Sequence, residues 1–112
     1  MFSHAYRLPG HRLPILLKSK QSFSSQFFTL KINSRKNNQP LIGIIVPVKV
    51  SRLAVVRNRH KRLVREAIRP YLTKLKPNTE LLFLANTTIL NRPLSVIQAD
   101  LLQLLQSCSL LN

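Results

Sequence analysis

The sequence predicts an α+β fold, one sheet packed against helices, within a single domain spanning 1–112. Three observations carry that reading. Residues from Gln26 alternate between apolar and polar, two later runs are continuously apolar, and two longer segments repeat their apolar residues at helical spacing. A chain of 112 residues with 45% apolar content can build one core of ordinary size.

Residues 1–20 contain Pro9, Gly10 and Pro14, so this stretch reads as irregular or as a short first helix beginning at or after Pro14. From Gln26, Phe28, Leu30 and Ile32 share one side and Phe27, Thr29 and Lys31 the other, the pattern of a half-buried strand. Ser34 to Pro40 is a polar turn. The run Leu41 to Val46 is largely β-branched and reads as a strand covered on both faces, paired antiparallel with the strand before it.

A long helix is expected over 51–69. Ser51 is its candidate N-cap and Pro70 its stop. Leu53, Val56, Leu63, Val64 and Ala67 fall on one arc of the wheel, with Ile68 at its border. Asn58, Arg62, Arg65 and Arg69 fall opposite, flanked by Arg59 and Lys61, while Arg57 lies nearer the apolar edge. After Pro77 and Asn78, Leu81 to Ala85 reads as a buried strand. Leu94, Ile97, Leu101, Leu104 and Leu105 mark a core-packing helix over 94–107. No internal repeat is visible.

Eighteen Lys and Arg against three acids leave a formal charge of +15, which calls for a polyanionic partner. The chain has two Gly and ordinary apolar content, which argues against collagen-like, low-complexity or wholly disordered chains. Cys108 is alone, so no internal disulfide framework is possible, and a reducing, cytoplasmic setting is expected. No apolar run approaches the roughly 20 residues of a membrane span. No acid precedes Glu66 and Ser22 to Ser25 are Ser-rich, a composition shared with organellar transit peptides. The acid-poor stretch nonetheless continues through core-like strands, which a discarded peptide would not contain.

The basic helix is the strongest functional signal. From Arg57 to Arg69 there are six Lys or Arg and one acid, and Arg57 to Arg62 has no hydrophobic interruption. A solvated helix surface normally interleaves both signs. Arginine donates two parallel hydrogen bonds to phosphate, and Asn58 can pair with a sugar hydroxyl or base edge. This face is therefore read as a nucleic-acid contact. Glu66 stands four residues after Arg62 and three before Arg69; it either holds one of them or only solubilises the helix.

The string Arg57-Asn58-Arg59-x-Lys61-Arg62-x-x-Arg65-Glu66 resembles the signature of the bacterial ribonuclease P protein component, with seven specified residues in ten positions. Lys49 to Val55 is similar to that family's Lys-rich lead-in, although Val50 and Leu53 stand where it often has Lys. The likeness covers most of the chain from about Gln26. It implies the ribonuclease P protein fold, related to the second domain of a small-subunit ribosomal protein, with a left-handed β-α-β crossover. It also implies a non-catalytic subunit bound to ribonuclease P RNA and precursor tRNA, whose 5′ leader is cut by the RNA using Mg²⁺. Carried over by position, Arg57, Asn58, Arg59, Lys61, Arg62 and Arg65 face the RNA, with Lys49 and Arg52 in the lead-in; Arg69 extends the set. The family's first helix pairs an Arg-Leu start with a leader-touching aromatic. Here Arg7-Leu8 is present, but Pro9, Gly10 and Pro14 intervene and Leu13 stands near the aromatic's place.

For the leader, Phe27 and Lys31 are the candidate contacts, Phe27 as a stacking platform, while Phe28 is assigned to the core because it alternates with Leu30 and Ile32. A polypeptide active site is not expected. Glu66, Glu80 and Asp100 lie on different elements, and His4, His11 and His60 show no ligand spacing with Cys108. His60 falls on the apolar arc and reads as packed. No cofactor or metal is assigned to the polypeptide. A small ribosomal or other RNA-scaffold protein is the alternative, and a helix-in-groove DNA binder is third, disfavoured by the strand-rich frame.

Overall fold

The computed structural model describes residues 6–36 and 38–111; His4 and the start of the irregular 1–20 segment lie outside them. Helix α1 is Leu13–Leu17, preceded by a 3-10 turn at Gly10–Arg12, and Pro14 sits in its first turn where a missing N–H costs nothing. Strands β1 (Gln21–Ser24), β2 (Phe28–Ser34), β3 (Leu41–Ile45) and β4 (Thr79–Ala85) form one sheet in the order β1-β2-β4-β3. Helices α2 (Ala54–Ile68) and α3 (Leu94–Ser107) complete the α+β architecture.

The expected antiparallel pairing of β2 with β3 is not formed. β4 lies between them, antiparallel to β2 and parallel to β3, so α2 is the crossover of a β-α-β unit. The physical reason is burial. Glu80 to Phe83 and Ala85 are all buried in β4, whereas only Ile42 is fully buried in β3, so the most enclosed strand takes the centre. β1 was not expected at all, since a Ser-rich segment exposed at every position carries no apolar alternation. It is an edge strand, held by its hairpin to β2.

The registers sort the sheet into two faces. Leu30 lies opposite Phe83, and Ile32 and Ile42 both oppose Leu81; this face packs against α2 and α3 as the main core. Phe28 and Phe83 meet edge to face at 5.8 Å. The other face presents Leu82, with Leu41, Ile45 and Leu84, to Leu8, Leu13 and Leu16 of the N-terminal segment. Here a glycine matters. A Cβ on Gly43 would stand 3.0 Å from Leu8 and 3.2 Å from Leu82, so the bare backbone lets the segment lie close. The Leu8 amide also donates to Ile42 O at 2.9 Å, which adds Arg7 as a parallel bridge beside β3.

Helix α2 starts later than the sequence suggests. Leu53 occupies the N-cap in extended conformation, and the Ser51 hydroxyl accepts from the Leu53 amide at 3.2 Å, a turn contact before the helix and not a cap. Leu53, expected on the core arc, is 65% exposed because the core ends before that turn of helix. At the other end Arg69 is the C-cap and Pro70 diverts the chain into a 3-10 turn over Arg69–Lys74. Helix α3 buries Ile97, Leu101, Leu104 and Leu105 as its stripe requires, leaving Leu94 exposed.

Candidate nucleic-acid interface

The basic helix turns its cations outward. Asn58, Arg59 and Arg62 are exposed, Lys61 and Arg65 are half-buried at the margins, and Lys49 and Arg52 are exposed on the approach to the helix. Two members of the expected set have structural engagements. Arg57 donates from Nη1 to Ser51 O at 3.0 Å and Arg52 O at 2.9 Å, so it staples the lead-in to the first turn. Arg69 pairs with Glu66 at 2.8 Å, which decides between the two partners that spacing left open.

The face is held by its own underside. Val64, Ala67 and Ile68 are buried in the main core. His60, 1% exposed, contacts Val56 O through Nδ1 at 2.8 Å and accepts the Asn91 amide on Nε2 at 3.1 Å. The acceptor role of Nε2 places the proton on Nδ1. His60 thus ties α2 to the β4–α3 connection, as a packed residue.

The candidate leader contacts fare differently. Phe27 is 1% exposed and is not available as a stacking platform. It precedes β2, in a turn where strand alternation no longer sets direction, and its amide donates to Asp100 at 3.2 Å while the Arg92 guanidinium lies 5.7 Å over its ring. Lys31 is half-buried on the sheet face that α1 partly covers, opposite Ser22 and Leu82. Between the N-terminal segment, β3 and α2 runs a cleft of about 300 Å³ that brings Arg7, Leu13 and Arg65 together.

All three acids are committed to structure. Glu80 is fully buried and accepts Arg12 Nε at 2.8 Å and Nη2 at 2.6 Å, with Asn33 at 2.8 Å and Arg35 at 3.4 Å. The Arg12 hydrogen bonds, above all, hold its carboxyl below the ordinary carboxylate range against the opposing effect of burial. Asp100 accepts the Ser25 hydroxyl at 2.6 Å and the amides of Gln26 and Phe27, fixing the β1–β2 turn. Dispersed and occupied in this way, the carboxylates do not supply the clustered oxygens that Mg²⁺ takes. Among the described residues no His, Cys, Asp or Glu group has metal-ligand geometry. Burial pushes the Cys108 thiol up, away from a reactive thiolate.

Two elements of this arrangement escaped the sequence reading. The Arg12–Glu80 pair spans 68 positions, and the Arg92–Phe27 contact depends on a turn geometry that has no periodic signature. The one available signal was the scarcity of acids: a carboxylate opening a buried strand needs a cation nearby.

Comparison with known proteins agrees with this geometry. The Ribonuclease P family matches residues 13–109. A ribonuclease P protein component of Chloroflexus aggregans is 35% identical over 93 residues, covering 82% of this chain and 68% of the relative. One from a Synechococcus strain is 39% identical over 70 residues, covering 62% of this chain and 53% of the relative, so the match spans about half of that protein's length. In fold, the chain is similar to the solved RNase P protein of Staphylococcus aureus, with a TM-score of 0.84 at 22% identity over 96% of this chain and 98% of that one. It is likewise similar to the RNase P protein of Thermotoga maritima, with a TM-score of 0.80 at 22% identity over 90% and 96% of the two chains. With the signature helix, the four-stranded mixed sheet and the matched span in agreement, the chain belongs to the ribonuclease P protein family.

Proposed function

We propose that this protein is the non-catalytic subunit of a ribonuclease P endoribonuclease, binding the catalytic RNA and the 5′ leader of precursor tRNA to promote 5′ maturation. One observation carries the reading: Asn58, Arg59 and Arg62 stand exposed on one helix, with Lys49 and Arg52 beside them, in a chain that has no acid before Glu66. Such a surface neutralises phosphates and orients a folded RNA. The chain's contribution is positioning and screening. By lowering repulsion between a polyanionic ribozyme and its polyanionic substrate, it reduces the divalent cation required for assembly. Magnesium belongs to the RNA's chemistry, and no residue of this chain is assigned to it.

For the leader, Lys31 and the cleft bearing Arg7 and Arg65 are the candidate phosphate contacts, and the buried Phe27 ring offers no stacking surface. No helix among the described residues is long and apolar enough to cross a membrane.

The decisive experiment mixes the purified protein with ribonuclease P RNA from a relative and a precursor tRNA at limiting Mg²⁺. Stimulated release of the 5′ leader supports the proposal. Tight binding to ribosomal RNA with no stimulation supports the RNA-scaffold alternative instead.

A further inference from the structure

We infer that the start of α2 carries an apolar foot, Leu53 and Val55, that packs against an unpaired nucleobase of the bound RNA. The inference rests on the RNA-binding reading above and adds a contact that charge does not explain. Val55 at 75%, Leu53 at 65% and Val48 at 60% are the most exposed of the large hydrophobic side chains in the described structure. All three fall within eight positions at one end of one element. Val55 precedes Asn58, Arg59 and Arg62 by three, four and seven positions, so it lies on the same stripe as the exposed polar face and not on the buried one.

Neither local structure nor the core calls for these residues. Val is a mediocre helix former, and a polar residue at the second helical position would serve solubility better. The backbone beneath them is nevertheless well held: Arg57 binds the carbonyls of Ser51 and Arg52, Val50 is buried, and its amide bonds Pro47 O at 3.0 Å. The apolar side chains are therefore presented in a set position.

Charge selects the occupant. Lys49, Arg52 and Arg59 border the foot and no acid occurs in the first 65 residues. A second copy of this chain would bring +15 against +15. The fitting partner is anionic yet offers an apolar surface. Duplex RNA hides its base faces by stacking, whereas an unpaired base exposes one beside its own phosphate.

The test compares wild type, Leu53→Ser with Val55→Ser, Val55→Ile and Arg59→Ala on two labelled probes, a ribonuclease P RNA transcript and a blunt RNA duplex, each across a salt series, and measures the same variants on anionic phospholipid vesicles. The double serine variant is expected to bind the transcript about three- to tenfold more weakly at every salt concentration, the effect of losing part of two apolar contacts. Its salt slope and its duplex affinity should stay at wild-type values, and Val55→Ile should bind as wild type. Arg59→Ala should instead lower the slope by about 1 on both probes. Wild-type affinity of the double variant for the transcript overturns the inference, as does an equal loss on the duplex. A loss seen only on anionic phospholipid vesicles also overturns it and assigns the foot to a membrane surface. Failure of the wild-type protein to bind the transcript is a different result, which removes the RNA-binding reading itself.

Discussion

Glu80 is fully buried yet charged, with donors from Arg12, Asn33 and Arg35 converging on it, so its protonation state is coupled to the seating of the N-terminal segment on the sheet. Its carboxyl titrates below the unfolded value, so the native state binds this proton less readily than the unfolded chain. The stabilisation is present above the unfolded carboxylate pKa of about 4.3 and is lost as pH falls through the lower folded value. Glu80→Gln should flatten most of the acid limb of a stability–pH profile measured by urea denaturation; an unchanged limb counts against this assignment. Glu80→Ala, which removes the shared acceptor of Arg12, Asn33 and Arg35, should lower the urea midpoint at neutral pH more than Glu80→Gln does. The same pair disqualifies Arg12 as a neutral control for charge removal. Lys18 and Lys20, both exposed, are the better controls when Arg59 and Arg62 are replaced.

Between elements, two contacts decide whether the basic face is held in place. His60 bridges α2 and the β4–α3 connection, and its loss leaves the Asn91 amide without a partner. His60→Phe keeps the bulk and should cost about 1 to 3 kcal/mol, seen as a lower urea midpoint at unchanged slope. Gly43→Val drives a side chain into Leu8 and Leu82 and should cost about 1 to 3 kcal/mol, with faster amide exchange at Leu8 as the local signature. Wild-type exchange there would mean that the segment is not seated through Gly43. These contacts also mark where the sequence stops being informative. Helices α2 and α3 and strand β2 were legible because each repeats its apolar residues at its own period, and strand β4 because Leu81 to Ala85 is an unbroken apolar run between polar neighbours. Strand order was not, because the partner of β2 lies beyond two intervening elements and an apolar run carries no label for its neighbour. β1 was illegible for the opposite reason: as an exposed edge it has no buried face to leave a pattern. The basic face of α2 was legible because charge density survives without knowledge of packing, while the burial of Phe27 was not, since it depends on Asp100 about 73 positions away.

At the scale of the whole molecule the question is how many of the eighteen cations act on RNA. Arg12 and Arg35 are drawn to Glu80, Arg69 is paired with Glu66, and Arg57 is spent on backbone carbonyls. On α2 and its immediate lead-in from Lys49 this leaves Lys49, Arg52, Arg59, Lys61, Arg62 and Arg65 with no ion-pair partner among the described residues. Six phosphate contacts correspond to a log–log salt slope of about −4 to −5 for binding to RNA. The count can be moved in both directions. Arg59→Ala with Arg62→Ala should make the slope shallower by about 1.5 to 2, whereas Lys18→Ala with Lys20→Ala should leave it nearly unchanged. Glu66→Gln should steepen it by about 0.7 to 0.9, because Arg69 is released to a phosphate. Equal shifts from the α2 pair and the Lys18, Lys20 pair would mean that RNA responds to total charge and not to this helix. A shift confined to α2, with the opposite sign for Glu66→Gln, identifies the helix as the docking surface residue by residue.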